Sequence, residues 1–136
     1  MSSNVRQAVL TWSHDLVFDG GAPDGPTIRL DGDGATAPSP VMGLLIAAAA
    51  CSGADVVLIL KKMRVELERF RIEAKGTRRE ADPRRLTGLH LVYALSGTGL
   101  DEGKARRAIE LSIQKYCSVM HSLAPDIPVT FTVVLE

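Results

Sequence analysis

Aromatic residues, cysteines and an excess of either charge are all scarce in this chain of 136 residues. Aromatics make up 4% of it, which disfavours a surface on which nucleic-acid bases stack. Sixteen Lys and Arg balance sixteen Asp and Glu, so we expect neither a nucleic-acid partner nor charge-driven membrane binding. Two cysteines are too few for the disulfide framework of a small secreted protein.

Residues 41–60 could form either a membrane-spanning helix or a helix in the core of a soluble protein. Residues 1–10 contain no continuous apolar run, so no signal peptide is expected. Residues 41–60 are long enough to span a bilayer and carry one charge, Asp55. That charge would cost about 2.5–3.5 kcal/mol at the centre of a membrane helix, and the alanines and glycines insert weakly. We therefore expect a helix buried on most sides in a soluble, cytoplasmic protein.

Apolar periodicity predicts eight elements in the order β-β-β-α-β-β-α-β within one domain, residues 1–136. Strands are expected at 5–12, 16–18, 27–30, 66–76, 89–95 and 129–135. Ser39 and Pro40 are typical of a helix start, and that helix should run about 25 residues, to Arg64. Asp101 can cap a second helix that reaches Cys117 or slightly beyond. The fold class is α+β, with antiparallel strands packed on two helices.

Both cysteines lie in predicted helices, Cys51 near the middle of the first and Cys117 near the end of the second, which makes them candidates for chemistry as well as for packing. Small residues surround Cys51, with four alanines before it and a serine and a glycine after it. Such a stretch is typical of a helix that another element crosses closely, and equally of a cavity that admits a substrate. If the two helices pack side by side, Cys51 and Cys117 come within disulfide reach.

Four motifs resemble the OsmC/Ohr family of osmotically inducible and organic hydroperoxide resistance proteins. They are SP at 39–40, ACSGAD at 50–55, DVVLILKKM at 55–63 and KYCSV at 115–119. The resemblance covers nearly the whole chain and is strongest to small OsmC-like members. It implies an OsmC-like fold, an intertwined homodimer and thiol peroxidase activity.

The resemblance also implies roles for the two sulfurs. Cys51 corresponds to the peroxidatic cysteine and Cys117 to the resolving cysteine. The expected function is reduction of an organic hydroperoxide in oxidative-stress defence, with an external dithiol regenerating the pair. No cofactor and no metal are expected in this reaction.

Two features of the hydroperoxide resistance members are absent from the sequence. Residues 41–43, which follow Pro40, lack their glutamate, and the turn at 20–25 lacks their arginine. Arg6 and Arg29 are candidates to replace that arginine, and neither is assigned a catalytic role. The missing glutamate and arginine favour an alternative to the peroxidase function, in which the protein is a non-catalytic homodimer that binds a small hydrophobic ligand.

A metal site is a third hypothesis. Cys117 and His121 are four residues apart, a spacing at which two side chains on one helix face can chelate. Cys51 or His14 would have to complete the set. One pair without a second makes the pattern unspecific.

Overall fold

The computed structural model describes residues 4–136, so the first three residues of the segment examined for a signal peptide lie outside it. Contacts divide the chain into two compact units, one ending at Leu44 and the other comprising Leu45–Glu136. The description of the chain as one domain stays a prediction.

The first unit is built on a three-stranded antiparallel sheet. Its strands β1 (Val9–His14), β2 (Val17–Gly21) and β3 (Thr27–Asp31) are hydrogen-bonded in that order. Asp15 turns the chain between β1 and β2 with a φ of 45°, a conformation that aspartate adopts more readily than most residues. The first strand therefore lies further along the chain than the predicted 5–12.

The Asp31 carboxylate organises the loop after β3. It accepts hydrogen bonds from the backbone N–H groups of Asp33, Ala35 and Thr36 and from the Thr36 hydroxyl. These donors, the Thr36 N–H foremost, lower the pKa of Asp31 to about 2. The loop is thus held by a charged acceptor at its base.

Helix α1 (Pro40–Lys62) begins where the sequence predicts it. Ser39 Oγ accepts a hydrogen bond from the Met42 N–H at 3.2 Å, which is the geometry of a helix N-cap. Arg64 adopts a φ of 63° just beyond the last turn and ends the helix near the predicted residue. The buried residues of α1 recur every three or four positions and are Leu45, Ala48, Ser52, Val56 and Leu60.

The remaining sides of α1 are uncovered within one chain. Ile46, Val57 and Leu58 are 52%, 44% and 60% exposed. Only 28% of the most apolar 18-residue window is buried, so the expectation of a helix buried on most sides is wrong for the single chain. By length and composition alone, this helix could cross a membrane.

The second unit contains a mixed sheet on which α1 packs. Strands β4 (Glu66–Arg78) and β5 (Leu86–Thr98) are antiparallel, while β6 (Val129–Leu135) runs parallel to β5. The sequence predicted antiparallel strands, but the helical segment between β5 and β6 returns the chain to the same end of the sheet. The buried face of β5 consists of Leu89, Leu91, Tyr93 and Leu95.

The second helical segment consists of three pieces. Asp101 caps α2 (Glu102–Leu111) by accepting a hydrogen bond from the Lys104 N–H at 2.8 Å, as predicted. A π turn follows at Ser112–Tyr116, and then a short helix α3 (Ser118–His121). The prediction of one continuous helix through Cys117 is wrong. The α+β class and the order of the strands and main helices are confirmed.

Candidate active site

The two cysteines are neighbours in the second unit. Cys117 Sγ lies 3.9 Å from the carbonyl oxygen of Ala48, one turn before Cys51 on α1. The Cys51 thiol is near enough to help raise the pKa of Cys117. Both thiols are free. The structure therefore brings together the two residues selected from the sequence, while their catalytic roles stay predictions.

The two thiols differ in their surroundings. Cys117 is fully buried, whereas Cys51 is half-buried. Burial, assisted by the nearby Cys51 and Asp55, raises the pKa of Cys117 from 9.0 to about 11, against a lowering by the Met120 N–H. The Cys117 thiol consequently keeps its proton at neutral pH.

A chain of hydroxyl groups lies beside the cysteines. Ser52 Oγ is 2.7 Å from the Tyr93 hydroxyl and 2.9 Å from Ser112 Oγ, which is 2.9 Å from Asp55 Oδ2. Ser112 is the donor in both of its contacts, so its single hydroxyl proton is shared between Ser52 Oγ and Asp55 Oδ2. Between Ser52 and Tyr93, either hydroxyl can donate. Each hydroxyl of the chain therefore has a hydrogen-bond partner.

Tyr93 is the fixed end of this chain. Its side chain is fully buried. Burial raises the pKa of Tyr93 to about 12, so its hydroxyl keeps its proton at neutral pH. Its ring contacts Phe70 and Phe131 at centroid distances of 6.4 and 6.2 Å.

The π turn determines where Cys117 stands. The Cys117 N–H donates to the Ser112 carbonyl at 2.8 Å, five residues back rather than the four of an α-helix. Cys117 itself is extended, with φ −70° and ψ 101°. Cys117 therefore lies at a departure from regular helix, a feature that is frequent at functional sites.

Helix α1 passes close to β4 at Gly53. A β-carbon at Gly53 would stand 3.3 Å from Ile72 Cδ1. The short residues around Cys51 therefore serve close packing in part, which is one of the two interpretations left open by the sequence.

An apolar groove of about 390 Å³ adjoins the hydroxyl chain. Asp55, one turn beyond Cys51 on α1, contributes to its wall and Lys62 lies further along the same helix. Its other lining residues are Leu58, Ile59, Leu111 and Tyr116. The groove offers an apolar surface near the more accessible thiol.

The structure provides no assembled metal site among residues 4–136. Within that range, no three His, Cys, Asp or Glu side chains group closely enough to hold an ion. His121 is exposed while Cys117 is buried, so the proposed chelating pair is divided between solvent and core.

The two basic residues considered as activating groups have other contacts in the first unit. Arg29 donates two hydrogen bonds to the Asp19 carboxylate, at 2.8 and 2.9 Å. Arg6 donates to the Val5 carbonyl at 3.3 Å. The bidentate contact to Asp19 orients the Arg29 guanidinium along the first sheet.

Sequence reasoning missed three of the polar residues in this cluster. Ser52 was considered only as one of the small residues around Cys51. Tyr93 was considered only as a core residue of an alternating strand. Ser112 lies between Leu111 and Ile113 in the apolar stripe of the predicted helix. A serine within such a stripe was the available signal, because a buried hydroxyl needs a partner.

The fold and the adjacent thiols define a small α+β protein with a dithiol centre. The family model described as OsmC-like protein matches residues 32–132. Protein YhfA of Escherichia coli K12 is 38% identical over 125 residues, which cover 91% of this chain and 93% of YhfA. The chain therefore belongs to the OsmC-like protein family, and the resemblance seen in its sequence is confirmed.

Solved structures agree with this assignment. A hypothetical protein from Aquifex aeolicus VF5 is 30% identical with a TM-score of 0.83, over 98% of each chain. The organic hydroperoxide resistance protein OhrB of Bacillus subtilis has a TM-score of 0.63 at 15% identity, over 99% of this chain and all of OhrB. At that identity, the likeness to OhrB concerns the fold.

Proposed function

We propose that this protein is a thiol-dependent reductase of organic hydroperoxides, in which Cys51 is the peroxidatic and Cys117 the resolving cysteine. The observation that carries the proposal is the close approach of a half-buried thiol to a fully buried one. The difference in exposure supports first attack by the more accessible sulfur, Cys51, and reaction of the buried sulfur, Cys117, with its product.

The chemistry balances with an external dithiol. The Cys51 thiolate attacks the terminal peroxide oxygen, the O–O bond breaks, and the alkoxide takes a proton to leave as an alcohol. Cys117 then attacks the Cys51 sulfenic acid, so that an S–S bond forms and water leaves. A dithiol reduces this disulfide by exchange and is itself oxidised.

The protonation of the pair supports this division of labour. Cys117 retains its proton at neutral pH because its thiol is buried, which fits a resolving rather than an attacking role. The nearby Asp55 carboxylate opposes a second negative charge. Since the arginine and glutamate of the hydroperoxide resistance members are missing, we expect slower turnover than in proteins that possess them.

The groove beside Asp55 favours an organic peroxide over hydrogen peroxide. Its walls are mostly Leu, Ile and Tyr side chains, which gain free energy by excluding water from an apolar substituent. An alkyl group resting there lies one helical turn from Cys51.

Peroxide consumption with a dithiol reductant tests the proposal. The parent protein should consume cumene hydroperoxide, Cys51→Ala should not, and Cys117→Ala should accumulate a dimedone-reactive sulfenic acid on Cys51. Ser118→Ala is a matched control, because Ser118 is exposed beside Cys117. Equal consumption by the parent and Cys51→Ala would refute the assignment.

OsmC/Ohr proteins are typically dimeric, and we infer a homodimer here as well. The uncovered apolar side of α1, including Ile46, Val57 and Leu58, supports it, because so large an exposed apolar surface is unusual for a soluble monomer. A dimer that covers this helix accords with a soluble protein, and we propose that it acts in the cytoplasm.

A second candidate is a non-catalytic homodimer that binds a small hydrophobic ligand. A shallow, open apolar groove of about 400 Å³ between α1 and β4 favours it, with Ala50, Val57, Phe70 and Ile72 among its lining residues. Native mass spectrometry of protein purified from cells should then show a co-purifying ligand. Repeated spectra of the protein without additional mass would count against this function.

A further inference from the structure

Ser112 connects Cys117 to helix α1. Its hydroxyl lies 2.9 Å from both Ser52 Oγ and Asp55 Oδ2, and its carbonyl accepts the Cys117 N–H at 2.8 Å. The side chain of Ser112 is fully buried. One residue therefore links the backbone of the buried cysteine to the helix that carries the other cysteine.

The π turn sets the position of Cys117, so the contacts of Ser112 that hold this turn affect the cysteine. In a regular α-helix, the Cys117 N–H would bond to Ile113, and successive side chains would be rotated by about 100°. The additional residue in the turn shifts Cys117 around the axis and places its sulfur against Ala48 on α1. A π turn is less stable than a regular turn, so it requires tertiary contacts to hold it. The Ser112 hydroxyl makes such contacts, one of them to a carboxylate.

We propose that Ser112 is a positioning residue that holds Cys117 in the orientation needed for a disulfide with Cys51. The inference rests on the proposed function in taking Cys51 and Cys117 as the redox pair. In the resolving step, the Cys117 sulfur bonds to Cys51, the S–O bond of the sulfenic acid breaks, and the Cys117 proton leaves with the hydroxide as water. Ser112 touches neither reacting bond and acts through the backbone of Cys117.

Equilibration with glutathione measures this positioning without any peroxide. Oxidised glutathione converts the two protein thiols into one disulfide and is reduced to two glutathione thiols. The equilibrium constant reports how well the protein holds its sulfurs together. Reduced, full-length protein is incubated at pH 7 in graded glutathione buffers, and the Cys51–Cys117 disulfide is quantified by alkylation and mass spectrometry.

Removal of the hydroxyl should loosen the pair. Ser112→Ala should lower the equilibrium constant by about tenfold or more, because displacement of a reacting group by about 1 Å costs up to two orders of magnitude. Asp55→Ala should have a similar effect. Asp55→Asn retains a hydrogen-bond acceptor without the charge and should stay within about threefold of the parent. Ser118→Ala should match the parent.

The outcomes separate this inference from the proposed function. A Ser112→Ala constant within about twofold of the parent overturns the inference, as does a parent that forms only mixed disulfides with glutathione. A parent that forms the Cys51–Cys117 disulfide but consumes no hydroperoxide refutes the peroxidase function alone. Circular dichroism spectra show whether Ser112→Ala is misfolded. If it is, the comparison of Asp55→Ala with Asp55→Asn decides the result, because Asp55 is only partly buried.

Discussion

The buried bond between Tyr93 and Ser52 gives a quantitative test of the hydroxyl chain. Their oxygens are 2.7 Å apart and both side chains are fully buried. Tyr93→Phe removes the terminal hydroxyl and leaves Ser52 bonded to Ser112. Ser52→Ala instead leaves the Tyr93 hydroxyl without a partner and removes one acceptor of the Ser112 proton.

The two substitutions should therefore differ in cost. Loss of one ordinary hydrogen bond lowers the free energy of unfolding by about 0.5–1.5 kcal/mol, so Tyr93→Phe should fall in that range. A buried polar group without a partner costs about 1–3 kcal/mol more, so Ser52→Ala should be the more destabilising change. In the double variant, no Tyr93 hydroxyl is left without a partner. The loss in free energy of unfolding should therefore be less than the sum of the losses in the two single variants.

Denaturant unfolding at a fixed protein concentration measures these differences, because a dimer is stabilised by mass action. Tyr116→Phe is the matched control, since Tyr116 is 51% exposed and its change should cost less than about 0.5 kcal/mol. A Ser52→Ala variant as stable as Tyr93→Phe, or strictly additive costs, would refute this account of the hydroxyl chain.

Three further outcomes follow from other parts of the chain. The pKa of Cys117 rises from 9.0 to about 11 on folding, so the unfolded state releases its proton first and stability should fall between these pH values. Cys117→Ala should flatten that decline in urea titrations, and an unchanged slope would contradict the shift. Asp31 should stabilise the fold above its ordinary pKa of 3.8 and lose that effect as pH falls to about 2. Asp31→Asn should thus be destabilised at pH 7, with the difference closing in acid; a gap that persists at pH 2 argues against this. Val57→Lys should convert the inferred dimer into monomers in sedimentation velocity, whereas Lys75→Ala should not; a dimer in both variants would exclude the α1 face as the interface.

Local patterns determined most of the secondary structure. The Ser39–Pro40 start, the Asp101 cap and the alternation along β5 each depend on neighbouring residues only, and all three appear as predicted. Strand β6 is also where the sequence places it, but its direction relative to β5 depends on the path of the chain between them. Sequence periodicity carries no information about that direction.

The two cysteines were evident in the sequence because each lies in a helical segment and in a motif of the OsmC-like family. Their neighbours were not. A serine hydroxyl gives no indication of its partner until the chain is folded, and Ser52 and Ser112 come from segments far apart in sequence.

The sequence by itself determined the order of the elements, the family and the pair of sulfurs, because all three depend on residue types and spacing. Only the tertiary structure decided that Cys117 follows a π turn and that a chain of hydroxyl groups connects Tyr93 to Asp55. Those features arise where a helix, a strand and a helical turn meet, and their hydrogen bonds exist only when all three are in place.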